Sequence, residues 1–424
     1  MAVAGSCAGF VLIGMLQALY GPAIPAFRAR FGVTPPVAGL ALSAEFAGAL
    51  VGVIVFHLLR ARLRDATLLG ASYALMATGV VLFALSPAWP ASLGAALVAG
   101  FGTGGIDYGL NRLFAVGFGR RSTAMLNLLN AYFGVGAVAG PALVGWAGAR
   151  HYPELFGAVA AASLLLIPTV SGVRQETPAA GPARPSEPAG SAAGERGNGP
   201  APRRIVAAFV VIYVLYVAIE SGVGGWEPTH LEAVGYSASV AATATAVFWL
   251  ALTVGRFLAV PVTLRWPGPP IVIACCVGMG GFLLLASVPA AAPYAYGALG
   301  LACAPIWATG LPWLARAAPT VAAASAYVMA ASMVGGIAFP PLLGRTIELA
   351  GVRSVPLVLC ALAVACAALS LWLRGVTGPA EPGPAPASDA APASTADEAG
   401  SGGLGDDRDR ARLAAEQAAP ERTA

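Results

Sequence analysis

Lysine is absent from the 424 residues of this chain, histidine occurs three times, and only 10% of the residues are charged. Soluble domains carry about 25% charged residues. With 58% hydrophobic residues and a mean hydropathy of +0.75, the chain cannot present an ordinary soluble surface. The absence of lysine also excludes a Gly-Lys-Ser/Thr phosphate loop, which argues against an enzyme or pump that uses ATP.

The chain also lacks the residue groupings that bind metals, cofactors or nucleic acids. No basic run with interleaved aromatic residues is present, so nucleic-acid binding has no support. We interpret the six cysteines as small packing residues, because they fall in apolar stretches without metal-ligand spacing. His57 lies near a predicted helix end, whereas His151 and His230 lie in predicted loops, and all three are expected to be solvated. No metal or cofactor is expected.

What is abundant is apolar sequence in long runs. A bilayer-spanning helix needs about 20 apolar residues, whereas a barrel strand needs about 10. The runs predict twelve helices, at Ala4–Phe27, Val37–Leu59, Thr67–Leu85, Ala91–Phe118, Thr123–Ala149, Leu155–Val173, Ile205–Trp226, Ser237–Leu264, Pro270–Val288, Pro293–Leu314, Val321–Leu343 and Val355–Leu373. The expected fold is therefore an all-α polytopic membrane protein with twelve transmembrane helices in two pseudo-symmetric six-helix bundles.

Arginine placement predicts the orientation. If the N-terminus is cytoplasmic, the inside loops hold about twice as many arginines as the outside loops. This favours a multi-pass protein of the cell inner (plasma) membrane with both termini cytoplasmic.

Composition divides the chain into four parts. Residues 1–173 and 205–374 are the two predicted bundles. Residues 174–204, rich in Pro, Gly, Ala and Ser, are expected to be a flexible cytoplasmic linker. Residues 375–424 have the same character and are expected to be a disordered cytoplasmic tail.

The two bundles carry matching sequence patterns about 200 residues apart. Val135-Gly136 is followed by Pro141 and Gly145, and Val334-Gly335 is followed by Pro340 and Gly344 at the same spacing. Val51-Gly52 and Val254-Gly255 recur at similar depth in the second and eighth runs. Such matches predict an internal repeat.

Three carboxylates remain inside the apolar runs, namely Glu45, Asp107 and Glu220. A carboxylate in hydrocarbon is costly, so it is expected to face a partner or a water-filled cavity. Asp107 and Asn111 share one helical face near mid-membrane. They are candidates for proton exchange or hydroxyl binding, and the alternative is an ion pair of Asp107 with a nearby arginine.

Further polar residues are candidates for a substrate site. Asn127 and Asn130 offer hydrogen-bond donors and acceptors, although amides of this kind also join helices to one another. Gln17 and Tyr20 are plausible cavity residues of the first helix. Glu220 precedes a glycine-rich run ending at Trp226, which suggests either an unwound cavity segment or, for Trp226, an interfacial anchor. Trp249, Trp307 and Trp313 are candidates for stacking on a sugar or for ordinary packing.

Two arginines inside the runs are interpreted as gate or structural residues. Arg256 lies near a helix end, where its side chain can reach the membrane surface. Arg112 is a candidate counter-ion for Asp107 or for an anionic substrate.

With six plus six helices, repeated halves and buried acids, the chain resembles the major facilitator superfamily. That resemblance implies two bundles that rock about a midplane site. The segment Gly136-Ala-Val-Ala-Gly140-Pro141 looks like a motif best known in drug antiporters of the superfamily, and we expect it to serve packing or hinge motion. The loop Arg60-Ala-Arg62-Leu-Arg64-Asp65 keeps the arginines of the family signature but not its glycine or its first aspartate.

Asp107/Asn111, Asn127/Asn130 and the run from Glu220 to Trp226 together resemble the fucose–galactose–glucose:proton symporter branch. The resemblance implies an acid at Asp107 in proton-coupled sugar transport and a substrate contact at Asn130. Gln17 stands where the branch has a first-helix acid, and Glu45 or Glu220 is a candidate replacement.

These features predict a secondary active transporter rather than an enzyme. The expected partners are a small polar solute such as a sugar, protons and the lipid bilayer. The chain is expected to be a monomer that works by alternating access. The alternative is a proton-driven efflux antiporter for drugs or metabolites.

Overall fold

A computed structural model of the chain describes residues 2–170, 200–319, 321 and 324–378. Thirteen α-helices and four short 3-10 turns make up its regular structure, and no strand occurs within these ranges. The helices are α1 (Ala2–Phe31), α2 (Pro35–Leu59), α3 (Asp65–Leu85), α4 (Trp89–Gly117), α5 (Ser122–Ala147), α6 (Tyr152–Val170), α7 (Pro200–Ala233), α8 (Ala238–Arg265), α9 (Gly268–Ala286), α10 (Ala292–Cys303), α11 (Pro305–Ala317), α12 (Ala324–Ala350) and α13 (Val355–Thr377). The all-α prediction is confirmed.

The tenth apolar run forms two helices instead of one. Pro305 has no backbone N–H and opens α11 directly after α10, so the helical hydrogen-bond ladder is interrupted at Ala304. Counting α10 and α11 as one interrupted span gives twelve spans, six in each half. Eleven spans in the described ranges are long and apolar enough to cross a membrane, and α4, which contains Asp107 and Arg112, is not among them.

The seventh run also differs from expectation. We predicted an unwound segment at its glycines, but α7 is one continuous helix that runs on past Trp226. The helix stops only after Ala233, where Gly235 adopts a φ of +105°. Ser237 then caps the next helix by accepting a hydrogen bond from the backbone N–H of Val240. The true stop signal therefore lies nine residues beyond the predicted end.

The repeat is visible in how the helices pack. A Cβ added to Gly136 would lie 1.9 Å from the carbonyl oxygen of Val11, and one added to Gly335 would lie 2.2 Å from that of Val214. Glycine thus lets α5 approach α1, and α12 approach α7, at matching positions of the two halves.

Two matching turns end the fifth and eleventh spans. Gly148 and Gly351 follow α5 and α12 with φ of +89° and +83°. L residues with side chains rarely adopt this region, so glycine is required at both places. A 3-10 turn follows each glycine and leads into the next helix, which confirms the predicted repeat.

Each half has its own aromatic core. In the first half, Phe83 stacks on Phe156, and Phe27 meets Tyr152 edge to face. In the second half, Tyr213 lies against Trp307, and Phe209 lies edge to face on Trp313. Trp313 also donates a hydrogen bond to Thr377.

The halves meet at one end of the molecule, which we call the closed end. It comprises the start of α2 and of α8 and the final residues of α5 and α12. There Ser43 of α2 donates a 2.6 Å hydrogen bond to the carbonyl of Ile337. A Cβ on Gly39 would lie 2.6 Å from the carbonyl oxygen of Pro340, and one on Gly344 would lie 2.6 Å from the backbone of Pro35. The contact is therefore made largely by backbone.

The predicted division into parts is covered only in part. Most of the linker at 174–204 and nearly all of the tail at 375–424 lie outside the described residues. Where the description resumes, α7 begins at Pro200, inside the range predicted as linker.

Candidate functional site

A polar stripe runs along α4 in the first half. Thr103 donates a hydrogen bond to the carboxylate of Glu45 at 3.3 Å, and Glu45 is only 3% exposed. One turn further along, Asn111 donates to the Oδ1 atom of Asp107 at 2.9 Å. Because residues 103, 107 and 111 are four apart, they share one face of the helix. The structure therefore connects the two predicted acids of this half through α4, and Thr103 is a member that sequence reasoning missed.

Gln17 and Glu220 hold equivalent positions in the two halves. Each lies four residues, one helical turn, before a glycine that contacts the other half. These glycines, Gly21 of α1 and Gly224 of α7, approach so closely that a Cβ on Gly21 would lie 1.8 Å from the carbonyl oxygen of Gly224. The side chains of Gln17 and Glu220 are partly exposed, one turn from this contact on the side away from the closed end. The structure thus brings Gln17 and Glu220 to one level.

Asn130 and Arg256 form a second pair of polar residues, next to the contact between α5 and α8 and on the side away from the closed end. A Cβ on Gly134 would lie 2.3 Å from the hydroxyl of Thr253 across the two halves. Asn130 precedes Gly134 by one turn, and Arg256 follows Thr253 by about one turn. Since α5 and α8 run in opposite directions, Asn130 and Arg256 lie on the same side of the contact. Asn127 continues the exposed polar face of α5 by another turn.

Glu220 has polar and aromatic neighbours within the second half. Tyr216 of α7 and Arg256 of α8 lie in the electrostatic neighbourhood of its carboxylate, and the Tyr216 hydroxyl has no hydrogen-bond partner within the described ranges. The ring of Trp307 lies edge to face on Tyr216 at 6.1 Å. Arg256, interpreted from the sequence as a gate or anchor, therefore lies in the electrostatic neighbourhood of Glu220, and its role stays a prediction.

Tyr20 differs from the other candidates in its surroundings. Its side chain is fully buried among Phe27, Phe83 and Phe156, which it meets edge to face. Its hydroxyl has no hydrogen-bond partner in the described part of the chain but interacts electrostatically with Glu45. The structure therefore places Tyr20 behind the polar stripe, inside the aromatic core.

The pairing of Arg112 with Asp107, one of two roles considered for this arginine, does not form in the structure. Arg112 instead forms a 2.9 Å ion pair with Asp65 at the start of α3. Asp65 is the aspartate that the loop after α2 retains, so the ion pair joins α4 to that loop. Asp107 has Asn111 as its partner instead.

The glycines of the fifth-helix motif lie against α1. Gly136 lies against Val11, and a Cβ on Gly140 would lie 2.7 Å from the carbonyl oxygen of Met15. Pro141 follows within the helix and is buried. Both glycines are at the interface of α5 with α1.

Sequence reasoning missed a polar cluster in the last two turns of α7. Glu227 and His230, which we expected outside the membrane span, are 0% and 1% exposed. His230 shares a 3.2 Å hydrogen bond with the hydroxyl of Tyr296 in α10. Trp226 is fully buried and donates to the carbonyl of Pro340, so its reading as an interfacial anchor is wrong. The predicted span ended at Trp226, whereas α7 continues through Pro228 to Ala233.

Two other residues considered in the sequence analysis differ in exposure. Trp249 is 5% exposed and contacts Gly224. His57 is exposed and shares a 2.6 Å hydrogen bond with Tyr108. Within the described ranges, no group of three or more His, Cys, Asp and Glu side chains is arranged to hold a metal ion.

Comparison with known proteins identifies what the chain is similar to. The sequence model described as "Major Facilitator Superfamily" matches residues 6–221 and 209–412. No curated protein sequence matches the chain.

Several solved structures share the fold. The nucleoside transporter NupG (D323A mutant) superposes with a TM-score of 0.70 at 13% identity, covering 88% of this chain and 100% of NupG. The xylose transporter XylE from E. coli, in a partially occluded inward open conformation, gives 0.67 at 12% identity over 87% and 96%. A bacterial homolog of the human lysosomal transporter Spinster, inward-facing and unoccupied, gives 0.69 at 14% identity over 89% and 97%. At such identities the likeness shows the fold alone.

Proposed function

Because the chain belongs to the major facilitator superfamily, we propose that it is a proton-coupled secondary active transporter of a small polar solute. Transport proceeds by alternating access, in which two halves rock about a site near the membrane midplane. No chemical conversion of the solute is involved.

The level shared by Gln17 and Glu220 carries this proposal. It lies directly below backbone contacts that seal one end of the molecule, and both halves contribute a polar side chain to it. A site reached by both halves is what rocking requires, because each half must release the solute as the other moves away. Asn130, Arg256 and the stripe containing Asp107 add further polar groups around the same region.

The residue types favour a polyhydroxylated solute such as a sugar. Amides supply donors and acceptors, carboxylates accept from hydroxyls, and Trp307 with Tyr216 offers aromatic faces. Structures with this fold include a D-xylose–proton symporter and a nucleoside transporter. Both of their solutes carry several hydroxyl groups.

We assign the closed end to the outer side of the cell inner membrane. The arginine excess favours cytoplasmic termini, and both the start of α2 and the end of α12 then face outwards. In this orientation the structure is an inward-facing state of a monomeric transporter.

The alternative is proton-driven efflux. The Gly136–Pro141 segment, which resembles a motif of drug antiporters, favours it. Efflux would use the same acids with the solute and the protons moving in opposite directions, so direction is decided by experiment.

Transport in proteoliposomes tests the proposal. Purified protein is first screened by thermal shift against sugars, nucleosides and cationic drugs, and the stabilising solutes are then offered under an imposed pH gradient. We expect a sugar or nucleoside to accumulate in vesicles with an alkaline interior and to leak out when a protonophore collapses the gradient. Accumulation that depends on an acidic interior instead would establish efflux.

A further inference from the structure

The second half contains a buried acid that the proposed transport site does not use. Glu227 of α7 is 0% exposed, and neither of its carboxyl oxygens has a hydrogen-bond partner within the described ranges. The acids of the proposed site differ in this respect. Glu45 accepts from Thr103, Asp107 accepts from Asn111, and Glu220 is partly exposed.

The groups around Glu227 and its neighbour His230 come from three other elements. Thr245 of α8 lies beside the carboxyl but donates its hydroxyl to the carbonyl of Ala241. Tyr296 of α10 interacts electrostatically with Glu227 while its hydroxyl meets His230. Arg353, in the turn before α13, is close enough to His230 to act electrostatically on that ring. Among the described residues, Glu227 therefore has titratable neighbours but no paired cation.

An ionised carboxylate sealed from water without a partner is strongly destabilised. The sealed arrangement is therefore compatible with the neutral acid and opposes the charged one. Ionisation of Glu227 has to be accompanied by the entry of water or by movement of α7.

Movement of α7 is coupled to the closed end by direct contacts. Trp226, the residue before Glu227, donates its indole N–H to the carbonyl oxygen of Pro340 at 3.0 Å. The same oxygen is the atom that Gly39 of α2 approaches from the other half. About one turn before Glu227, Gly224 of α7 touches Gly21 of α1. Separation of the halves at this end thus disturbs the wall that keeps water from Glu227.

We propose that Glu227, supported by His230 and Tyr296, is a proton-binding site whose occupancy holds the closed end shut. When the proton is bound, the neutral acid tolerates the sealed pocket and the halves stay in contact. When the proton leaves, the charged carboxylate favours separation of α7 from α1 and α2 and the entry of water. The proposal extends the proposed function, because it adds a second proton site that is distinct from Asp107.

A distance measurement without solute tests this site separately from transport. Spin labels are placed at Thr34 and Ala350, exposed residues on opposite halves at the closed end, after the six cysteines have been replaced by alanine. The protein is held in lipid nanodiscs and the label distance is followed as pH varies. We expect a short distance at acid pH and a growing population of longer distances as pH rises.

Glu227→Gln imitates the protonated acid and is expected to keep the short distance at every pH. Glu232→Gln is the matched control, because Glu232 lies on the same helix but is partly exposed, and it should follow the unmodified chain. A pH response that survives Glu227→Gln, or that is absent from the unmodified chain, overturns the proposal. Failure of Asp107→Asn to affect uptake would instead count against the transport proposal alone.

A milder variant keeps the test decisive if Glu227→Gln does not fold. Tyr296→Phe removes the hydroxyl that His230 meets and should move the midpoint of the pH response by about 0.5–1 unit. An unmoved midpoint contradicts the role of this cluster. A parallel titration with Na⁺ at fixed pH distinguishes the bound ion, since a distance that follows Na⁺ and not pH would establish a metal-cation site instead.

Discussion

Gly21 of α1 and Gly224 of α7 touch through bare backbone, leaving no room for a side chain. A Cβ on Gly21 would lie 1.8 Å from the carbonyl oxygen of Gly224. Helices held this close by glycine can separate without extracting side chains from one another. The contact is thus suited to repeated opening, and it sets the level at which Gln17 and Glu220 lie.

Gly21→Ala should shift the protein away from the state with the closed end shut. The added methyl group cannot fit without displacing backbone, so the halves are expected to part at this level. Spin-label distances between Thr34 and Ala350 measure the shift. Gly157→Ala in α6 is the matched control, since a Cβ there has no atom within 4 Å. An unchanged distance distribution in Gly21→Ala would show that the contact does not determine the state.

Glu220→Gln should weaken solute binding by about 10-fold to 100-fold, because hydrogen bonds to a charged group contribute about 1.5–3 kcal/mol. Calorimetry or equilibrium binding with the solute identified by screening measures the loss. Glu348→Gln, which replaces an exposed partner of Arg345, should bind as the unmodified chain does. Equal affinity in both variants would place the solute away from Glu220.

Asp107→Asn should abolish accumulation driven by a pH gradient while sparing exchange of solute across the membrane. Asparagine keeps the size of the side chain and can still meet Asn111, but it cannot exchange a proton. Counterflow and gradient-driven uptake in the same vesicles separate the two activities. Full accumulation by the variant would reduce Asp107 to a structural residue, and Asp406→Asn provides the control for the substitution itself.

Trp226→Phe should lower the free energy of unfolding of the purified protein by at least about 1 kcal/mol. The change removes the 3.0 Å hydrogen bond to the carbonyl of Pro340 and replaces the buried indole with a smaller phenyl ring. Trp146→Phe is the control, since Trp146 is 86% exposed. If the two variants melt together, the bond does not contribute to the folded state.

Removal of residues 379–424 should leave transport close to that of the full chain. The composition of this segment, rich in Pro, Gly, Ala and charge, favours no packed structure. Initial uptake rates of the truncated and full proteins, corrected for the amount inserted, provide the comparison. Loss of uptake by a truncated protein that is inserted and stable would assign the segment a function.

The helical layout could be predicted from the sequence because the length of an apolar run is a local property. The predictions that differ from the structure concern features that depend on how the helices pack. The seventh span was predicted to end at Trp226, yet α7 continues to Ala233 because its stop signal is at Gly235. Arg112 was a candidate counter-ion for Asp107 or for an anionic substrate, but its partner Asp65 is 47 residues away and becomes a neighbour only when α3 packs on α4.

The same limit applies to the candidate site. Spacing along α4 could place Asp107 and Asn111 on one face, because helical periodicity fixes that relation. It could not show that Glu45 of α2 joins them through Thr103, or that Tyr20 turns into the aromatic core. These relations depend on helix rotation, which packing determines.

The backbone character of the closed end has a consequence for its response to ionic strength. Among the described residues, two ion pairs are found, and each joins residues of one half. Arg112 pairs with Asp65 in the first half, and Arg345 pairs with Glu348 in the second. The contact between halves instead consists of glycines, prolines and the hydrogen bond from Ser43. Dissolved salt screens charges but not close backbone packing. The balance between shut and open states should therefore stay the same in dilute and concentrated salt.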